Sequence, residues 1–151
     1  ADDSAITTPP ADIDEFIIVQ RVVDGDTLKA DDGRRVRLIG VNSPELAHDG
    51  NPVEFYAVEA TEWLRKRVEG KKVGLRKGPD ELDQYGRTLA FVYDEHNALI
   101  NLEILAQGNA RLLDRFGLPA DLEPALRQAA SEAKLRKIGM WGPADQRVDS
   151  R

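Results

Sequence analysis

Four short stretches of this 151-residue chain carry side chains suited to phosphate chemistry. In Val36-Arg37-Leu38-Ile39-Gly40-Val41 the two-residue period of a strand sets Arg37 on the face of Ile39 and Val41, with Val36 and Leu38 apolar as well. Arg87 repeats the pattern with Leu89, Phe91 and Tyr93. An arginine directed inward among core side chains is costly unless a carboxylate or a phosphate meets it. Asp24-Gly25-Asp26-Thr27 is a hairpin-turn signal that also sets two carboxylates at a strand mouth, as a hard cation needs. It is not an EF-hand loop, because Leu28 stands where a third oxygen ligand belongs. Asn42-Ser43-Pro44-Glu45 offers an amide oxygen, a backbone carbonyl and a carboxylate within four residues. Singly, each stretch has an ordinary reading: structural salt bridges, snorkelling arginines, a tight turn, a capped turn. Together, the oxygen donors Asp26, Asn42 and Glu45 and the cations Arg37 and Arg87 equip a site for metal-assisted phosphodiester cleavage, provided the fold gathers them.

Gathering them falls to a strand-rich first half. Phe16 to Val23 is rich in β-branched residues and ends at Asp24-Gly25. Thr27 to Ala30 runs into Asp31-Asp32-Gly33, and Arg35 to Val41 reads as a third strand, completing a meander. Asn51-Pro52-Val53-Glu54 carries the signs of a helix start, and the apolar spacing predicts an amphipathic helix over 52–69. Residues 72–76 and 88–93 are further strands around a loop at 77–87. A short helix follows at 101–106, then a brief strand at 109–113. The spacing of Leu122, Leu126, Ala129, Ala133 and Ile138 marks a last helix that stops at Gly139. About five short strands and three helices, strands mostly early, predict an α+β domain on a small closed or partly closed barrel.

Composition bounds the chemistry further. The absence of cysteine excludes disulfide scaffolds, thiolate zinc sites and cysteine nucleophiles, and two histidines argue against a His-rich metal site. His48 and His96 read as solvated loop residues, Trp63 as a half-buried packing residue and Trp141 as the dock for the last helix end. No apolar run is long enough to cross a bilayer. The net charge is −6, but residues 1–15 contain five acidic residues and no basic one, leaving the rest of the chain at −1. That distribution permits a local basic cleft without strong steering. Residues 1–15 read as a disordered acidic leader, 16–142 as the folded domain and 143–151 as a polar tail. A start at Ala1 fits a processed secreted protein and equally a trimmed chain.

Five ordered blocks, VVDGDT (22–27), VRLIGVNSPE (36–45), DQYGRTLAFVY (83–93), NLEILAQG (101–108) and MWG (140–142), resemble the staphylococcal nuclease family, and their spacing spans nearly the whole folded region. The resemblance implies an OB-fold, a five-stranded barrel with three helices. It also implies a calcium-dependent nuclease acting on DNA and RNA with little sequence preference, leaving 3′-phosphates and 5′-hydroxyls. Carried over by position, Asp26 and Asn42 would be side-chain calcium ligands and Ser43 a ligand through its main-chain carbonyl. Arg37 and Arg87 would bind the reacting phosphate, and Glu45 would be the general base. Tyr85 lies where the family has a tyrosine near the bound nucleotide, and Phe116 could stack on a base. The expected partners are DNA and RNA, single-stranded or denatured in preference. The protein is expected to be a secreted, extracellular monomer, with a periplasmic location or a tether through the leader as variants.

Three departures bear on strength rather than on chemistry. Asn42 stands where the family pattern has an aspartate, which predicts a raised calcium requirement. Asp114 replaces a possible aromatic and is expected to repel phosphate, and Gln84 removes a possible lysine contact. Weaker substrate binding, a higher KM, is the expectation. The alternative is a non-catalytic OB-fold module that holds single-stranded nucleic acid. It would be expected to lose Glu45, Arg37 and Arg87, and to want a basic groove of the kind Arg34, Arg35, Lys71, Lys72, Arg76, Lys77, Arg111 and Arg115 partly offer. A structural or protein-interaction domain explains neither arginine.

Overall fold

The computed structural model describes residues 12–47 and 49–143. Most of the expected leader, His48 and nearly all of the expected tail lie outside the described residues. Five strands close a barrel in the order β1 (Glu15–Asp24), β2 (Thr27–Ala30), β3 (Arg35–Leu38), β6 (Thr88–Tyr93), β5 (Lys72–Leu82). All neighbours are antiparallel except β3 and β6, which run parallel with Val36 opposite Thr88 and Leu38 opposite Ala90. A separate two-stranded ladder joins β4 (Val41–Asn42) to β7 (Arg111–Leu112). Three helices, α1 (Ala57–Val68), α2 (Ile100–Ala106) and α3 (Glu123–Leu135), complete the OB-fold, with a 3-10 turn at Gly139–Trp141.

The barrel interior follows from strand alternation. Ile17 and Val19 point inward from β1, and a register shift between Val19 and Arg21 changes the phase so that Val22 is buried next. Without that shift the alternation would send Arg21 into the core. Leu28, Ala30, Val36, Leu38, Val73, Leu75, Ala90 and Val92 fill the same interior, and Leu64, Ile104, Leu105 and Leu126 pack from the helices. Asn101 is fully buried and fully used. Its Oδ1 accepts from Val92 N at 2.8 Å and its Nδ2 donates to Ile39 O at 2.8 Å, so α2 grips both β6 and the turn after β3.

Several boundaries differ from the expectation. The third strand does not run to Val41. Gly40 takes φ +82°, a conformation a side chain strains against, so the chain turns at Ile39–Gly40 and Val41–Asn42 pair with β7 instead. The expected loop at 77–87 is shorter, because β5 continues to Leu82. The first helix starts at Ala57, not at residue 52: Tyr56 precedes it with φ 74°, and residues 51–54 turn back toward the Asn42–Glu45 segment. Glu15, assigned to the leader, is the first residue of β1, and Asp14 N donates to Leu75 O at 2.7 Å.

Glu15 ties three elements together. Its carboxylate accepts from Arg34 Nη1 and Nη2 at 2.9 and 2.8 Å and pairs with Lys77 Nζ at 3.0 Å. Hydrogen bonds from Arg34 and then Lys77 hold its carboxyl down to about 2. A carboxyl depressed on folding stabilises above its ordinary value near 4.5, and that contribution fades as pH falls toward 2. Glu15→Gln should therefore lower stability at pH 7, by no more than about 1 kcal/mol because the group is solvent-screened. Urea unfolding at pH 7 and pH 2 checks this: the gap between wild type and variant should close at the lower pH.

Candidate active site

The turn between β1 and β2 builds the first wall of a hollow of about 290 Å³ lined by Asp24, Asp26, Arg37, Asn42, Ser43, Glu45 and Arg87. Asp26 N donates to Asp24 Oδ1 at 3.1 Å, which tightens the turn. Gly25 is there for closeness rather than for φ: a Cβ at that position would stand 2.7 Å from the Ser43 Cβ. Asp26, only 6% exposed, accepts through Oδ2 from Ser43 N at 2.9 Å and from Ser43 Oγ at 3.2 Å, and through Oδ1 from Thr27 Oγ1 at 2.9 Å.

Arg37 lies on the face of β3 opposite Val36 and Leu38, which alone are in the core; the expected inward direction is corrected, and its side chain faces the hollow. Its Nη1 donates to Leu38 O and Val41 O, both at 2.7 Å, which cements the turn after β3. Its Nη2 reaches Asp26 Oδ2 at 3.3 Å and Asn42 Oδ1 at 3.4 Å. Arg87, directly before β6 and so beside β3, is set by Asp83. One Asp83 oxygen accepts from Tyr85 N and Arg87 N at 2.9 Å, and the other takes Arg87 Nε at 2.7 Å. Burial pushes the Asp83 carboxyl up, but these bonds from Arg87 and Tyr85 bring it below its ordinary value. Using Nε leaves the terminal nitrogens of Arg87 without a protein acceptor among the described residues.

Glu45 follows Pro44 at the end of the Ser43 segment, and its main chain is gripped from both sides. Glu45 N donates to Glu54 Oε1 at 2.8 Å, and Glu54 N donates to Glu45 O at 2.9 Å. The sequence features that read as a helix cap thus close the base of a loop.

Six of the eight expected site residues therefore meet: Asp26, Arg37, Asn42, Ser43, Glu45 and Arg87. Tyr85 and Phe116 do not line the hollow. They are 73% and 77% exposed, their rings lying 5.3 Å from the Arg87 guanidinium and 4.9 Å from that of Arg115. Asp114 pairs with Arg127 at 2.9 Å, so its expected repulsion is largely neutralised. Of the expected basic groove, Arg34 and Lys77 are taken by Glu15 and Arg76 by Asp121. His96 is exposed, as expected, beside Glu95.

Sequence reasoning passed over Asp83 and the loop-closing role of Glu54, and it noted Asp24 beside Asp26 as a second carboxylate without assigning it a role in the site. Asp83 was detectable from its spacing of four residues to Arg87 across a Gly-containing turn. Burial, and then the neighbouring charge of Asp26, push the Asp24 carboxyl up to about 7. Among the described residues no three acidic or histidine side chains gather tightly enough to hold a metal ion unaided. The donor set of the hollow is nonetheless all hard oxygen, carboxylates beside an amide and a backbone carbonyl, and a cation would relieve the repulsion between Asp24 and Asp26. Those are the ligand types of calcium rather than of zinc or copper.

The model of the family described as staphylococcal nuclease homologue matches residues 35–143. A protein named thermonuclease from Staphylococcus intermedius is 38% identical over 133 residues, covering 84% of this chain and 76% of that protein. Its counterpart from Staphylococcus hyicus is 35% identical, covering 82% and 73%. A probable endonuclease LCL3 from Nakaseomyces delphensis is 35% identical over 70% of this chain, which spans 42% of that longer protein.

Glu54→Ala should free the Glu45 amide without touching the hollow, speeding its hydrogen exchange by roughly tenfold, about the worth of one hydrogen bond to a charged acceptor. Glu54→Gln keeps an acceptor and should restore most of the protection. Amide exchange followed by NMR reads both.

Proposed function

The chain belongs to the staphylococcal nuclease family and is a nuclease, and from that premise we propose that it is a calcium-dependent, sequence-nonspecific enzyme hydrolysing the phosphodiester bonds of DNA and RNA to 3′-phosphates and 5′-hydroxyls. The observation carrying the reading is the convergence of two arginines and a set of oxygen donors, from four separated segments, on one small hollow. Asp26, Asn42 and the main-chain carbonyl of Ser43 are the residues for the ion. Bound calcium supplies a Lewis acid that draws negative charge from a phosphoryl oxygen. Glu45 takes a proton from the attacking water, whose oxygen bonds to phosphorus as the bond to the 5′ oxygen breaks, and the departing 5′ oxygen takes its proton from solvent water. Arg37 Nη2 and the terminal nitrogens of Arg87 donate to the equatorial oxygens, where charge accumulates. Arg87 is held through Nε, which leaves its terminal nitrogens for the phosphate, whereas Arg37 Nη2 would exchange its long contacts to Asp26 and Asn42, at 3.3 and 3.4 Å, for the phosphate oxygen.

Tyr85, exposed beside Arg87, and Phe116, exposed beside Arg115, serve as contacts for the nucleotide. A small, open hollow on a body near neutrality suits single-stranded or denatured polymer, since it offers no long basic stripe for a duplex. Calcium held by few charged ligands is held weakly, which suits the high calcium of the extracellular space and a secreted enzyme. Among the described residues no helix is long and apolar enough to cross a membrane. One chain supplies every group, so the enzyme works as a monomer.

Denatured DNA incubated with the protein should be degraded with calcium and spared with chelator. Glu45→Ala should lose about 10²–10⁴ in turnover, and Arg87→Gln about 10²–10³. Binding without cleavage by the wild type would select a nucleic-acid-binding module instead. Asn42→Asp should lower the calcium needed for half-maximal activity by roughly tenfold, the effect of about 1.4 kcal/mol of added attraction; a calcium titration of activity checks it.

A further inference from the structure

A polynucleotide brings a nucleotide on each side of the phosphate being cut, and the catalytic hollow, lined by polar and charged side chains, offers a base no apolar face. Next to it, sharing Asn42 and Ser43 as a wall, is a second hollow of about 370 Å³ lined also by Pro44, Glu54, Phe55, Arg111 and Met140. Arg111 is the cross-strand partner of Asn42 in the β4–β7 ladder, so backbone pairing fixes it about 4.8 Å, one strand's width, from the catalytic wall. Among the described residues no carboxylate pairs with Arg111 and its guanidinium makes no hydrogen bond, whereas Arg34, Arg67, Arg76, Arg87 and Arg127 are all paired. Its guanidinium lies instead 4.9 Å from the centre of the Trp141 ring. Stacking on a ring holds the planar fork in place while leaving its N–H donors for another acceptor. Phe55 and Met140 add a partly exposed apolar surface of the kind on which a base stacks. The carboxylate of Glu54, on the same wall, is engaged by the Glu45 amide.

We infer that this second hollow is a nucleotide subsite for the neighbour of the scissile phosphate, with the base against Phe55 and Met140 and the adjoining phosphate on Arg111. The inference rests on the nuclease reading and adds to it the part of the substrate that this face grips. It explains how a near-neutral body holds a polyanion: a cation unpaired among the described residues stands one strand away from the chemistry.

The test compares an oligothymidylate of eight residues with the two thymidine esters that carry a 4-nitrophenyl phosphate at the 3′ or the 5′ position, one of which leaves the second hollow without a nucleotide. Arg111→Gln and Phe55→Ala should each raise KM for the octamer five- to tenfold more than for that ester, with kcat little changed. Lys134→Gln, which removes the other cation near the Trp141 ring (5.2 Å), should not reproduce the effect. In chelator, the salt dependence of octamer binding should fall by about 0.7 in logarithmic slope for Arg111→Gln, as expected for one lost phosphate contact on a single strand. Equal losses on octamer and both esters, no loss on the octamer, or the same loss from Lys134→Gln would each overturn the subsite. If the wild type cuts no substrate, the nuclease reading fails, and the subsite stands or falls on the binding slope alone.

Discussion

A single carboxylate holds the hollow in shape. Asp26 is nearly buried, and a buried charge persists only when its oxygens are met. They are met by Thr27 on its own strand, by both the backbone N–H and the hydroxyl of Ser43, and by Arg37 from β3. Each partner belongs to a different stretch of chain, so satisfying one side chain fixes three segments relative to one another. The absent side chain at Gly25 is the steric counterpart of this arrangement, because the Ser43 segment can reach Asp26 only where nothing projects from the turn. Arg37 extends the network outward by holding the carbonyls of Leu38 and Val41 with one nitrogen while presenting the other to the hollow.

The charge economy of the molecule is local. Several of its arginines are spent on structure: Arg34 on Glu15, Arg67 on Asp94 and Glu103, Arg76 on Asp121. Such pairs near the surface contribute little individually to stability, but they remove positive charge from the field felt at a distance. Arg111, unpaired among the described residues, stands beside the hollow across the β4–β7 ladder. Attraction for a polyanion is therefore short-ranged and placed by backbone pairing rather than spread over a face.

Much of this was legible in the sequence, and the rest was not, for identifiable reasons. Asp26, Asn42, Ser43 and Glu45 were found because each adjoins a turn at a strand end, and turn residues announce themselves. Arg37 was found through a faulty step. Apolar residues on both sides of it made the strand's inner face ambiguous, and only the burial of Val36 and Leu38 resolves it. Gly40 hid the break between β3 and β4, since a glycine in an apolar run gives no sign of its φ. Glu54 satisfied every local criterion for a helix cap, and its actual partner is nine residues earlier in a loop whose path no local rule predicts. Asp24 was read as a second carboxylate at the strand mouth, but its raised carboxyl was not foreseen, because that depends on burial beside another carboxylate, a tertiary property.

The two arginines that face the hollow come from the two strands of one seam. Arg37 lies on β3 and Arg87 directly precedes β6, and these are the strands whose parallel pairing closes the barrel. Some fifty residues separate them, with α1 and β5 between. An unfolded chain carries every reactive group and none of the geometry. Its nuclease activity therefore depends on the pairing of β3 with β6, which sets the two arginines beside one another.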